Sequence, residues 1–317
     1  MNQEEQLCPN DLVLLQLGRR LLADGYRFTT PTPLTHQRVN QRDEGQMADS
    51  LRDVFGWSRP FTPGLLSADE QRQLQDAQII DTYEGELKSR VRWSSLDDLL
   101  FVHSAFPTEA ADAVFFGPDT YRFAQLIHAH LQQNFAPIHR AVDIGCGAGV
   151  GAILIGRARR EAEVLALDIN PAALRLTAIN AALAEVANVE VRASDLLQGV
   201  DGEFDLIVAN PPYMADPAER AYRHGGGTLG AGLSLRIVEQ ALNRLAPGGS
   251  LLLYTGVAMV DGRDPFLDTV LPRLDEKRFG WTYRELDPDV FGEELLNPGY
   301  QRVDRIAVVA LTVTRMG

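Results

Sequence analysis

Lysine is almost missing from this chain of 317 residues: Lys88 and Lys277 are the only two, so arginine carries nearly all of the positive charge. Positive charge is short as a whole, with 30 basic against 43 acidic residues and a net charge of −13. Neither part of the chain escapes the deficit. Residues 1–110 hold 11 basic and 17 acidic side chains, and the rest hold 19 and 26. Phosphate neutralisation supplies much of the affinity of nucleic-acid binders, so this balance argues against a large RNA or DNA partner, short of a local arginine patch. Cysteine is scarce too. Cys8 and Cys146 make no disulfide framework, which fits a reducing, cytoplasmic setting. No run approaches the ~20 apolar residues of a membrane span, and the polar, acidic start from Met1 to Gln6 does not read as a signal peptide. Repeats and low-complexity tails are absent. What remains is the composition of a soluble globular protein, 45% apolar and 23% charged.

Against that background Asn210-Pro211-Pro212-Tyr213 stands out, directly after the apolar run Phe204 to Ala209. An Asn side chain offers a carbonyl acceptor and an NH2 donor together. Two prolines fix their own φ angles and hold the preceding residues extended, so the turn is stiff and its carbonyls are aimed. Tyr213 adds a flat face and a hydroxyl tip. Such a turn suits a planar, nitrogen-bearing group.

A second signal lies upstream. Ala141 to Ile144 reads as a short buried strand, followed by Gly145-Cys146-Gly147-Ala148-Gly149 and an apolar helical run from Ala152. Strand, glycine turn, helix lets backbone approach a nucleotide-like ligand with no Cβ in the way. The next strand ends in Asp168, 21 positions after Gly147, where a carboxylate reaches a ribose diol. Alone, the turn divides evenly between a nicotinamide or flavin cofactor and some other ligand. The order of elements separates the readings: Asp143 before the turn, Asp168 after the second strand, Ser194-Asp195 after the third, and the Asn210 tetrapeptide after the fourth.

This ordered set resembles the class I S-adenosylmethionine-dependent methyltransferases, in the branch with an Asn-Pro-Pro-Tyr motif. That branch includes release-factor glutamine methyltransferases, adenine-N6 methyltransferases and guanine-N2 ribosomal RNA methyltransferases with a small methyltransferase domain. The resemblance covers roughly 115–315. It implies an α/β fold, a seven-stranded, mostly parallel Rossmann-like sheet with helices on both faces, and S-adenosylmethionine as cofactor. Gly145, Gly147 and Gly149 would pass under the methionine and ribose. Asp143 would serve the amino-acid end, or merely cap the next helix. Asp168, with Ile169, would take the ribose hydroxyls, Asn170 being the better helix cap. Ser194, Asp195 and Leu196 would meet the adenine, unless Asp195 is a solvated turn acid. Asn210 and the Pro211 carbonyl would each accept an N–H of the acceptor nitrogen, with Tyr213 stacked on its plane. Gly117 to Tyr121 loosely matches the family segment that closes over the methionine end.

The alternation from Ala141 independently implies a parallel sheet with right-handed crossovers. Strands are expected at 141–144, 163–168, 188–192, 204–209 and 250–255, then at 281–286 and 305–313. Helices are expected at 121–132, 150–160, 171–184, 232–246 and 264–276. Residues 1–107 are expected to form a separate small α+β or helical accessory domain, and 108–317 the catalytic one. In the former, Leu12 to Leu22 has helical spacing with Asn10 as candidate N-cap, and Ser67 caps a helix from Ala68. Phe28 to Leu34 reads as a stiff proline segment, and Gln78 to Glu84 and Leu99 to Ser104 as strands. The loop Asp216 to Gly232, rich in glycine from Gly225, reads as a substrate lid or a flexible connection. His128, His130 and His139 lack a carboxylate or thiol framework, so no metal is expected.

The function expected is methyl transfer to a planar nitrogen, of a protein glutamine amide or a small-molecule amine or amide. The alternative is a base nitrogen in ribosomal RNA or DNA, with Tyr213 stacked on a flipped base. A non-catalytic cofactor-binding scaffold is the third reading.

Overall fold

The computed structural model describes residues 3–42, 46–83, 85–216 and 222–317. The chain begins with α1 (Pro9–Ala23). Proline's fixed φ suits the first turn of a helix, so α1 starts at Pro9 and Cys8, not Asn10, takes the cap position, with no side-chain bond. The proline segment ends the same way. Thr32 Oγ1 accepts the N–H of Thr35, and Pro33 opens α2 (Pro33–Asn40). After α3 (Leu51–Phe55) comes α4 (Ala68–Asp76), where Ser67 and Glu70 form the reciprocal capping box. Two hairpins follow, β1 (Ile80–Tyr83) with β2 (Glu86–Ser89), and β3 (Val91–Leu96) with β4 (Leu99–Ser104). This region is α+β.

The large sheet follows α5 (Pro118–Gln133). Its strands alternate with helices as β5 (Arg140–Ile144), α6 (Val150–Ala158), β6 (Glu163–Asp168), α7 (Pro171–Leu183), β7 (Val189–Ala193), β8 (Phe204–Ala209), α8 (Gly232–Leu242), β9 (Leu245–Val260) and α9 (Pro265–Val270). The antiparallel pair β10 (Phe279–Asp287) and β11 (Val303–Arg315) closes it. Strand order is β10-β11-β9-β8-β5-β6-β7, with β11 antiparallel to both its neighbours, β10 and β9, and the other six strands running in one direction. This is the seven-stranded, Rossmann-like arrangement. Two expected elements differ most, and smaller shifts affect the helices expected over 121–132 and 232–246, which run Pro118–Gln133 and Gly232–Leu242, β9 starting already at Leu245. β9 runs well beyond 250–255, because β11 pairs along it as far as Val260 while β8 leaves it at Leu253. The helix expected over 264–276 stops at Val270 and tightens into a 3₁₀ turn at Leu271–Arg273, where Pro272 cannot supply the next helical N–H.

Successive side chains of a strand face opposite sides, and the core divides accordingly. Val142, Leu165, Ile207 and Leu251 pack towards α8 and α9. Ala141, Val164, Leu206 and Leu252 pack towards α5, α6 and α7, in the same apolar cluster as Leu14, Phe28, Trp93 and Phe101 of the N-terminal region. Polar ties reinforce that join. Arg157 grips both carboxylate oxygens of Asp98 at 2.7 and 2.6 Å, and Arg175 donates to Asp11 at 2.5 Å. Asn180 on α7 accepts the Val102 N–H at 2.8 Å and donates to the Val102 and Ala148 carbonyls at 3.0 and 2.9 Å. Among the described residues no helix is long and apolar enough to cross a membrane.

Candidate active site

The order of the sheet reverses between β5 and β8, whose ends are paired Ile144 to Ala209. Ligands of open α/β sheets bind at such a switch point, outside the carboxyl ends of the strands. The next residues are Gly145 and Asn210, so the two signals of the sequence emerge side by side, at about the 5 Å spacing of neighbouring strands.

Gly145 and Gly147 have φ of +70° and +55°, and a Cβ on either would meet nothing within 4 Å. They leave an open floor that side chains would fill. The turn is held from below. The Gly145 and Cys146 N–H groups both donate to the Leu167 carbonyl, at 2.8 and 2.9 Å, and Thr177 Oγ1 donates to the Gly147 carbonyl at 3.0 Å. Gly149, with φ of +82°, faces away from the opening, and a Cβ there would meet Thr177 Cγ2 at 2.7 Å. Above the turn is a cavity of about 430 Å³, within the range of small-molecule sites. Of the site residues expected from sequence, all except Gly149 line it.

Their individual geometries are uneven. Asp143 is buried and its Oδ2 accepts the Ala152 N–H at 2.9 Å, the bond of a helix cap; burial pushes its carboxyl up to about 7. Asp168 accepts the Gly147 N–H on one oxygen at 3.0 Å and the Asn170 N–H on the other at 2.9 Å. Each carboxylate oxygen has a second lone pair, so a diol can still be bound. Burial raises this carboxyl as well. Ile169 is exposed at the rim. Ser194 closes its own turn, donating to the Leu196 carbonyl at 2.8 Å and accepting the Gly199 N–H at 3.0 Å, with Leu196 in the left-handed region at φ 53°. Asp195 is half-exposed, and both of its oxygens already accept from Arg236 at 3.1 Å.

Asn210 and Tyr213 differ most. The Asn210 side chain has no hydrogen-bond partner among the described residues and lines the cavity. Tyr213 is 7% exposed. Its hydroxyl donates to Asp119 Oδ2 at 2.5 Å, and its ring covers Gly256, where a Cβ would lie 2.2 Å from the ring edge. Phe291 approaches it edge-on at 6.2 Å. Little face is left for stacking, so the expected stacking platform is an anchor for the turn instead.

Asp119 carries no site signal in the sequence. Its other oxygen accepts the Tyr254 hydroxyl at 2.8 Å, and Arg122 stands 3.5 Å away, itself held by Asp287 at 2.7 Å. Burial raises the Asp119 carboxyl against the opposing pull of the two tyrosine hydroxyls. In sequence it reads as an ordinary acid in the first turn of α5. Only its distant partners distinguish it.

The glycine-rich stretch packs against the Asn-Pro-Pro-Tyr turn. The Gly225 N–H donates to the Met214 carbonyl at 2.9 Å, and a Cβ on Gly225 would lie 1.9 Å from the Gly230 carbonyl oxygen. A Cβ on Gly230 would lie 2.2 Å from that of Tyr213. These glycines permit close packing against the Asn-Pro-Pro-Tyr backbone, so the described part of the stretch braces that turn. Of the loop 216–232, residues 217–221 lie outside the described residues. Among the described residues no group of three or more His, Cys, Asp or Glu is placed to hold a metal.

A family model described as "Methyltransferase small domain" matches residues 111–259. These residues are a methyltransferase small domain. They contain the glycine turn, Asp168, Asp195 and the Asn210 motif, and S-adenosylmethionine is the methyl donor of this family. The chain is similar to a release factor glutamine methyltransferase of Koribacter versatilis, 35% identical over 48% of this chain and 54% of that protein. A protein of the same description from Deinococcus radiodurans is 35% identical over 59% of this chain and 66% of its own. A ribosomal protein uL3 glutamine methyltransferase of Xanthomonas campestris is 29% identical over 73% and 72%. The chain thus spans about half to two thirds of the length of the first two relatives. The matched small domain excludes the first 110 residues, yet these supply Thr30, His36, Arg92 and Phe106 to one wall of the cavity.

Proposed function

We infer that the protein methylates an amide nitrogen and that its acceptor is a glutamine side chain of a protein. The observation that carries this reading is Asn210: an amide without a protein partner, on a turn made rigid by two prolines, next to the open floor of the glycine turn. Three features support the floor as a cofactor site: its unobstructed glycines, the spare acceptor capacity of Asp168, and a cavity of suitable size. The backbone of Gly145 to Gly147, Asp168 and the turn at Ser194 to Leu196 would hold S-adenosylmethionine. When bound, that cofactor supplies an electrophilic methyl group on a sulfonium.

The protein's part is positioning. A primary amide has two N–H donors, and Asn210 Oδ1 and the Pro211 carbonyl supply two acceptors. Holding both N–H groups fixes the nitrogen and turns its π face towards the donor. Orientation of this kind can supply several kcal/mol of barrier lowering, on the order of 7 or more in favourable systems. Asp119 keeps the turn in place through Tyr213. The acidic balance of the chain and the enclosed ring of Tyr213 favour a protein acceptor over a flipped base. Relatives described as acting on release factors and uL3 point the same way. A translation-protein acceptor would put the work in the cytoplasm.

Tritiated methyl donor, the purified chain, and release factors and uL3 from the source organism make the test. Label on a glutamine side chain is the expected result. Label in ribosomal RNA instead would move the acceptor to a base nitrogen. Failure to bind S-adenosylmethionine at high micromolar concentration by calorimetry would end the reading altogether.

A further inference from the structure

The wall of the cavity supplied by the N-terminal region contains a buried cation with no acid beside it. Arg92 on β3 is 3% exposed. Its Nε donates to the Ser104 carbonyl at 3.4 Å, and Nη1 lies 3.3 Å from His36 Nδ1. His36 is held in turn, with Nε2 2.8 Å from the Trp57 carbonyl. That bond requires the proton on Nε2, so Nδ1 is the acceptor and Nη1–H the donor. His36 cannot serve as a counter-charge, since burial and the adjacent guanidinium bring its pKa down to about 4. Arg92 stays cationic at neutral pH even though burial brings it down to about 10. Among the described residues it makes no salt bridge, and Nη2 has no hydrogen-bond partner. Both Arg92 and His36 line the cavity, as does the single carboxylate on this wall, Glu109.

A desolvated guanidinium without an anion is costly unless something completes it. The planar fork matches a carboxylate in bidentate geometry. We propose that Arg92, oriented by His36 and the Ser104 carbonyl, is a carboxylate-binding subsite of this cavity. The carboxylate has two sources, the amino-acid end of the cofactor or a carboxylate of the methyl acceptor. The proposal rests on the methyltransferase reading only for these two names.

Calorimetry with S-adenosylhomocysteine and with 5′-methylthioadenosine, which lacks the amino-acid carboxylate, separates the sources. If the cofactor fills the subsite, Arg92→Met weakens S-adenosylhomocysteine tenfold or more and leaves methylthioadenosine unchanged. If the acceptor fills it, both affinities are unchanged, but acetate raises the melting temperature of the wild-type protein saturated with S-adenosylhomocysteine and not that of Arg92→Met. The wild type alone gives a reading that needs no folded variant. Acetate should stabilise it when loaded with methylthioadenosine, whichever source is correct. No stabilisation by acetate there overturns the subsite. If neither nucleoside binds the wild type, the methyltransferase reading fails, while acetate stabilisation of the bare protein that Arg92→Met abolishes still reports the subsite.

Discussion

The Tyr213 hydroxyl and the Asp119 carboxylate, 94 residues apart, meet at 2.5 Å in the buried wall of the cavity. With Tyr254 on the second oxygen, one carboxylate ties the end of β8, the start of α5 and the middle of β9 together. The Asn-Pro-Pro-Tyr turn is therefore fixed from both ends, by its strand and by this clamp.

Removing the clamp tests that statement. Asp119→Ala strands two buried tyrosine hydroxyls, each worth about 1–3 kcal/mol when left without an acceptor. The expected loss is about 3 kcal/mol in urea unfolding, with a larger fall in kcat than in cofactor affinity. A midpoint within error of the wild type would mean that the tyrosines are held by packing alone.

Asn210→Ala should do the opposite. The side chain has no partner to lose, so stability should change by less than about 0.5 kcal/mol. Cofactor affinity should hold, while turnover should fall by on the order of 10²–10³, the usual consequence of deleting one group aimed at the reacting centre. Unchanged turnover would remove Asn210 from the mechanism and reopen the scaffold reading.

Gly256→Ala probes the same turn from underneath. A Cβ would lie 2.2 Å from the Tyr213 ring, with the ring's hydroxyl pinned to Asp119. Overpacking of this kind costs about 1–3 kcal/mol. Pairing the change with Tyr213→Leu, which trades the ring for a smaller side chain, should recover part of the stability but not the activity. A double variant no more stable than Gly256→Ala would locate the clash elsewhere.

Acidity provides a fourth test. The Asp143 carboxyl titrates at about 7 in the folded chain, against about 4 when unfolded. The folded state holds the extra proton between those values. This contribution is complete below pH about 4 and is lost as pH rises through about 7. Asp143→Asn cannot titrate and should escape the loss. Between pH 5 and 8 the wild-type melting temperature should fall relative to the variant by about 5 °C. Parallel curves for the two proteins would show that Asp143 keeps an ordinary carboxylate pKa.

Much of this molecule was legible in its sequence, for local reasons. The parallel strands announce themselves as short apolar runs, and Ser67 with Glu70 carries a helix start within four residues. The glycine turn and the Asn210 motif each sit at a strand end, so their neighbourhood follows from the pairing of β5 with β8. What stayed hidden depends on partners far along the chain. Asp119 gains its meaning from Tyr213 and Tyr254, and Asp195 is met by Arg236 across 41 residues. The brace at Gly225 and Gly230 reads as flexibility until the backbone it presses against is known. The length of β9 was hidden in the same way, because it is set by the partner strand β11 and not by its own residues.

Asn180 gives the N-terminal region a second importance. One amide holds the Val102 backbone of β4 and the Ala148 carbonyl of the glycine turn at once. A displacement of the β3–β4 hairpin would therefore be passed through this one amide to the floor of the cavity.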